Sequence, residues 1–285
     1  MAPKRILIDA PALADMLESE DCVAIDCRFD LANVHAGRQL YDEGHIPGAV
    51  FLDLDRDLAG PVQADTGRHP LPNAEQIAAT LGRLGIGQSG TLVVYDGGNG
   101  SLAARAWWIL RWLGVEAIRL LDGGFAQWKA LDLPLETLTP ARVPVTFTGR
   151  PNDALVLTTG ELVADLSSIP GQSLLDARDR QRFLGEYEPI DPVAGHIPGS
   201  VNAPFSDFVT TEGTWRPLAE RAALLEAVLG KDREVAWSVM CGSGVTACHL
   251  AISGLEAGFR EPRLYVGSWS QWIRDSKRPI ATGQA

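Results

Sequence analysis

The chain has 285 residues, 46% of them hydrophobic and 21% charged, and carries a formal net charge of −11. That length favours about two domains with sizeable cores, and the composition excludes a disordered or collagen-like chain. The acidic balance argues against nucleic acid as a partner, because phosphate binders need clustered Lys and Arg to displace counterions.

The opening stretch, "MAPKRILIDAPALADMLESED", lacks the long apolar core of an export signal and is too acidic for a transit peptide. No stretch approaches the roughly 18 apolar residues of a membrane span, so we expect a cytoplasmic protein with no membrane partner. A helical pattern covers Ala10–Glu18, with Asp9 as its N-cap and Pro11 in its first turn. The strand "VAIDC" (23–27) follows. Cys22 and Cys27 bracket "VAID", which at about 3.3 Å per residue holds them roughly 16 Å apart, too far to bridge, so both read as buried thiols. None of the four cysteines forms a CxxC pair and the five histidines show no ligand spacing, so neither a disulfide framework nor a metal site is expected.

Further along come a helix near Ala74–Leu84 behind Asn73, the β-branched run "TLVVY" (91–95), a Trp-rich helix over Leu102–Leu113, the strand "AIRLL" (117–121) and a short helix over 124–130. Trp107, Trp108 and Trp112 could form a ligand-stacking box, but their helical spacing favours core packing. Strands that read as continuous apolar runs between helices point to an α/β fold with a mostly parallel sheet covered on both faces. The segment 133–153, rich in Pro and Thr and without helical period, reads as a linker.

After the linker the pattern repeats. "VAIDCRFD" (23–30) answers "SLLDARDR" (173–180), and "EGHIPGAVFLDL" (43–54) answers "AGHIPGSVNAPF" (194–205). "TLVVYDGG" (91–98) lines up with "VAWSVMCGSG" (235–244), and "LLDGGFAQW" (120–128) with "RLYVGSWSQW" (263–272). Four blocks at a steady offset mean a duplicated domain. We therefore divide the chain into a first domain over 1–135, a linker over 136–153 and a second domain over 154–285.

The second copy carries the chemistry. Cys241 stands where the strand "VAWSV" ends, a loop of small residues turns and a helix begins, which is the ligand-binding edge of an open α/β sheet. Such a loop turns successive backbone N–H groups inward, and the helix dipole adds to the effect, so an anion belongs there. The thiolate of Cys241 can be that anion. A free thiol is only about 3% ionised at pH 7, and about 2.7 kcal/mol of preferential stabilisation would raise this to roughly 75%. Cys248, two helical turns on, reads as packing. The first copy has Asp96 at the position of Cys241, and a carboxylate cannot do thiol chemistry.

The loop "CGSGVTA" (241–247) resembles the active-site loop of the mercaptopyruvate sulfurtransferases in the rhodanese superfamily. The resemblance extends over nearly the whole chain: the tandem copies, both "GHIPG" segments, "LLDGGFAQW", the cysteine missing from the first copy and "GSW" near the end. It implies two tandem rhodanese-like domains, the first non-catalytic and the second catalytic. It also implies transfer of sulfur from 3-mercaptopyruvate to Cys241, giving a persulfide and pyruvate without a separate cofactor, and then delivery to a thiol such as thioredoxin or to cyanide. Arg178 and Arg182 in "DARDRQRF" would grip the donor's carboxylate and carbonyl, and the loop residues Gly242, Gly244, Val245 and Thr246 would line its seat. Ser243 would relay a proton together with Asp55 and His69 from the first domain, Asp53 being the alternative register. Arg178 has a counterpart in Arg28 of the first copy, which suggests a structural share in its role.

His45 and His196 recur at the same place in both copies, so they are expected to serve the fold. Thiosulfate-preferring relatives carry basic side chains just after the cysteine, where this chain has Gly242 and Ser243. A neutral loop suits a donor whose charge is held elsewhere. Thiosulfate transfer remains the runner-up, and a non-enzymatic sulfur carrier or sensor is a third reading. A thiol phosphatase would need an arginine six residues after the cysteine, where this chain has Ala247.

Overall fold

The computed structural model describes residues 5–18, 22–168 and 173–283. The first half runs β1 (Leu7–Ile8), α1 (Ala10–Leu17), β2 (Cys22–Asp26), α2 (Ala36–Glu43), β3 (Val50–Phe51), α3 (Ala74–Arg83), β4 (Thr91–Tyr95), α4 (Ala103–Trp112), β5 (Ile118–Leu121) and α5 (Gly124–Ala130). The second runs β6 (Val156–Leu157), α6 (Thr159–Ser168), β7 (Ser173–Asp176), α7 (Arg180–Leu184), β8 (Val201–Asn202), α8 (Leu218–Leu229), β9 (Trp237–Met240), α9 (Ala247–Glu256), β10 (Arg263–Tyr265) and α10 (Ser268–Trp272). Each half builds a five-stranded parallel sheet, in the orders β1-β5-β4-β2-β3 and β6-β10-β9-β7-β8. The duplication written in the sequence is thus repeated strand for strand.

Local chemistry sets several of these boundaries. The Asp9 side chain accepts from the N–H of Ala12, and Asn73 accepts from those of Glu75 and Gln76, so both caps satisfy amides that a helix start leaves free. Helix α4 is buried along nearly its whole length, Trp107, Trp108 and Trp112 included, so the tryptophans are core.

The two halves share a core. One hydrophobic cluster runs from Trp107, Trp108 and Leu110 of α4 to Val239, Cys241 and Leu250 of the second half, and α4 packs against α9 across the boundary. On its other face each sheet has a cluster of its own, one around Tyr41, Tyr95 and Trp128, the other around Tyr265, Trp269 and Trp272. Both sheets are therefore covered on both faces, as continuous apolar strands require.

Two duplicated motifs also serve the fold. His45 and His196 stack on Tyr41 and Phe183, with ring centroids 3.8 Å apart in each case. Their Nδ1 atoms bond the carbonyls of Tyr41 (2.7 Å) and Phe183 (2.8 Å). Arg28 and Arg178 grip Asp26 and Asp176 two residues upstream, and their Nη2 groups donate to the carbonyls of Gly44 and Gly195. Cys22, Cys27 and Cys248 are buried free thiols, pushed upward in pKa chiefly by burial, Cys248 to about 12.

Candidate active site

Cys241 follows directly on β9, buried in the shared core. Its backbone is fixed by α10: the N–H of Cys241 donates to Ser268 Oγ (3.1 Å), and the N–H groups of Trp269 and Ser270 donate to the carbonyls of Cys241 (3.0 Å) and Gly242 (2.9 Å). Ser268 holds φ of +53°, a left-handed conformation that costs a side-chain-bearing residue about 1 kcal/mol or more. The matching turn of the first half has Gly124, also at φ +53°, where a Cβ would approach the Asp96 carbonyl to 2.6 Å. The second half accepts the strain and gains a hydroxyl that holds the Cys241 amide.

Among the described residues, the amide N–H groups of Gly242 to Ala247 have no hydrogen-bond acceptor in the protein. The first half shows what such a loop takes up. There the Asp96 carboxylate accepts from the amides of Gly98 (2.9 Å), Gly100 (3.0 Å), Leu102 (2.9 Å) and Ala103 (3.2 Å). The first copy fills its anion cradle with its own side chain, whereas the cradle around Cys241 keeps its donors free.

Ser243 is reached from the first half. Its Oγ lies 2.8 Å from His69 Nδ1, and His69 Nε2 lies 3.2 Å from Asp55 Oδ1. Asp53 instead turns its carboxylate back to the amides of Asp55 and Arg56, so Asp55 is the residue brought to the histidine. Burial pushes the His69 imidazole down to about 3, helped by the Arg105 and Arg68 guanidiniums, while burial and Asp53 raise the carboxyl of Asp55. The Asp55 contact alone would favour a charged ring. Burial outweighs it, since Asp55 is half in water and its field is screened. A neutral ring fixes the polarity: Nε2–H donates to Asp55 and Nδ1 accepts the Ser243 hydroxyl proton.

Of the two arginines expected to hold a donor carboxylate, Arg182 lies at the loop. Its guanidinium would stand 3.4 Å from a Cβ added to Gly242, and it is held by Glu188 (Nη2 to Oε1 2.8 Å) and Asp191 (3.1 Å). Arg178 differs. Its side chain is 1% exposed, bound to Asp176 and Gly195 and stacked over Trp269, with Nη1 in a looser ion pair with Glu188 at 3.6 Å. The same geometry recurs at Arg28 over Phe125, so the visible work of Arg178 is structural: it fixes the turn that launches α7 and Arg182.

Two further arginines converge here that sequence spacing did not single out. Arg68 directly precedes His69; it forms an ion pair with Asp191, and its amide donates to Ser270 Oγ (3.1 Å). Arg105 of α4 is fully buried and donates to the carbonyls of Gly244 (3.1 Å), His69 (3.2 Å) and Pro70 (3.3 Å), so one cation ties the cysteine loop to the segment carrying the imidazole. The adjacency of Arg68 to His69 was a usable signal. For Arg105, buried in an apolar helix, the signal was a charge with no partner on its own face.

The comparisons fit this geometry. The family described as "Rhodanese-like domain" matches residues 9–131 and again 158–275. A Pseudomonas aeruginosa protein named "Probable 3-mercaptopyruvate sulfurtransferase" is 48% identical over 282 residues, which is 97% of this chain and 98% of that one. A Mycobacterium tuberculosis protein named as a candidate thiosulfate sulfurtransferase is 38% identical over 99% of this chain and 98% of its own length. An Escherichia coli crystal structure, described as a 3-mercaptopyruvate sulfotransferase of the rhodanese fold, superposes with a TM-score of 0.82 at 32% identity and covers 94% of this chain and all of that one.

Proposed function

Since the chain belongs to the rhodanese family, with two rhodanese-like domains and close relatives that are 3-mercaptopyruvate sulfurtransferases, we propose that its own reaction moves sulfur from 3-mercaptopyruvate through a Cys241 persulfide. The observation that carries this reading is the Ser243–His69–Asp55 chain assembled across the two halves beside the cysteine loop. A passive sulfur carrier has no use for a proton relay.

The Cys241 thiolate attacks the donor sulfur, forming an S–S bond. The C–S bond breaks, and its electron pair passes to the carbon that becomes the methyl of pyruvate. Ser243 hands a proton to that carbon and regains one from the donor's thiol, with the neutral His69 accepting and returning it. The products are pyruvate and a Cys241 persulfide anion, so charge and atoms balance. Free loop amides from Gly242, Gly244, Val245 and Thr246 then hold the anionic outer sulfur. An acceptor thiolate, from a small thiol or a thioredoxin-like dithiol, attacks that sulfur and restores Cys241. No metal or other cofactor takes part in these steps.

The test is mass spectrometry of the protein after brief exposure to 3-mercaptopyruvate, with pyruvate assayed in parallel. We expect a gain of about 32 Da, one sulfur atom, on the peptide holding Cys241, and loss of both signals in Cys241→Ser. Pyruvate release that survives the substitution would defeat the proposal. Thiosulfate remains a second reading, favoured by the Mycobacterium relative. A higher kcat/KM for thiosulfate than for 3-mercaptopyruvate would establish it as the main donor.

A further inference from the structure

The neutral loop leaves open what holds the donor's negative charge, and only Arg182 of the expected pair reaches the loop. Gly242 shows what else is there. A Cβ at this position would meet Arg68 Nη2 at 3.0 Å and the two Nη atoms of Arg182 at 3.4 and 3.6 Å. Two guanidiniums, one from each half, therefore lie over the residue next to the nucleophile, in space only a glycine leaves open.

Asp191 shows that the pair is set for a carboxylate. One of its oxygens pairs with Arg68 and the other lies 3.1 Å from Arg182 Nη2, so a single carboxylate already spans the two forks. Glu188 holds Arg182 from behind, and the Arg68 backbone is pinned to Ser270. Among the described residues, Nη2 of Arg68 and Nη1 of Arg182 have no hydrogen-bond acceptor, and Nη2 of Arg68 is the atom nearest Gly242. The Arg68 side chain is 27% exposed and that of Arg182 14%, against 1% for Arg178.

The geometry points to Arg68 as a substrate-binding residue: with Arg182 it forms a cross-domain clamp that seats the donor's carboxylate over Gly242, and Asp191 positions both arms. This deepens the sulfurtransferase reading and rests on it. The clamp explains how a loop without basic side chains selects an α-keto acid. The guanidinium fork matches a carboxylate in two directions, and supplying it from both halves makes recognition depend on the closed pair.

The clamp can be tested apart from sulfur transfer. The Cys241 thiolate displaces iodide from iodoacetate, which carries a carboxylate, and from iodoacetamide, which is neutral and of nearly the same size. Alkylation at Cys241 is followed by peptide mass spectrometry in the full-length protein. In Arg68→Gln the iodoacetate rate should drop about fivefold or more relative to the iodoacetamide rate, which monitors folding and thiol reactivity. The KM for 3-mercaptopyruvate should rise about tenfold or more, the loss of one charged hydrogen-bond donor pair. Arg68→Lys should recover part of both. An unchanged alkylation ratio and KM in Arg68→Gln would overturn the clamp. If the unaltered protein releases no pyruvate from 3-mercaptopyruvate, the sulfurtransferase reading fails while the alkylation ratio still reports on the clamp.

Discussion

Single residues decide the chemistry, and His69 shows how. Its imidazole is held near 3 in the folded protein against an ordinary value near 6.5, so the unfolded chain binds more protons throughout that window. Stability contributed by the neutral ring is complete above pH 6.5 and is lost as pH falls toward 3. His249, fully buried and stacked on Trp215 at 3.4 Å, is also held near 3, chiefly by burial, and acts in the same direction. Melting temperature should therefore fall steadily below pH 6.5, and His249→Phe should flatten part of that slope; an unaltered slope would show that this imidazole does not drive it. Ser243→Ala should lower kcat by about 10²-fold or more with KM little changed, checked by pyruvate release. The proposed relay could be read as residue types and as a resemblance, which left Asp55 and Asp53 both open; it is Asp55 that lies 3.2 Å from His69 Nε2, while Asp53 caps neighbouring amides. Sequence could flag Arg68 beside His69 and Arg105 as a charge in an apolar helix, but not their partners, which lie 123 and 139 residues away where no local spacing records the approach.

At the scale of elements, the sequence pattern held wherever a buried face or a cap marks the boundary. Helices α1 and α3 start behind the expected Asp9 and Asn73, and the apolar runs became central strands. Helix α2 escaped notice because only Gly37 and Tyr41 of its eight residues are buried, too sparse a stripe to stand out, and its N-cap His35 makes no side-chain bond. Helix α10 is the element on which the proposed nucleophile leans most, since its first turn fixes the amide and carbonyl of Cys241. Ser268→Gly should relieve the left-handed strain and keep or raise the melting temperature, whereas Ser268→Ala should lower it; both lose the Oγ acceptor. We expect both variants to form persulfide more slowly by a similar factor, about tenfold. A glycine variant as fast as the parent would mean that the hydroxyl is not needed.

Over the whole molecule, the two halves cover each other. The segment with Asp55, Arg68 and His69 closes over the cysteine loop. In return Thr214 and Trp215 of the second half lie against Gly123 and Gly100 of the first, with the Trp215 amide donating to Asp122 (2.8 Å). Arg105 and His249, equivalent positions on α4 and α9, each brace their own half's covering segment. Asp96→Cys should therefore not create a second active centre, because Trp215 stands where a relay would have to be. Intact mass should still show one added sulfur after donor treatment, and two would refute this. The duplicated fold could be read from internal repeats, whereas this exchange of covers could not, since nothing in one copy records which surface of the other it meets.

Glu256, at the end of α9, has a bearing on how the protein comes to exist. Its carboxylate accepts from the amides of Ile6 (2.7 Å) and Leu7 (3.0 Å) at the start of β1 and is paired with Arg221 at 2.7 Å. Strand β1 is tied to β5 within its own half, but the amides of Ile6 and Leu7 wait for an acceptor made 250 residues later, roughly ten seconds to a minute at about 5–20 residues per second. During that interval the nascent first half exposes the apolar α4 that later packs on α9 and the Arg105 guanidinium that later meets the Gly244 carbonyl, the kind of surface that makes a partly folded chain prone to aggregate.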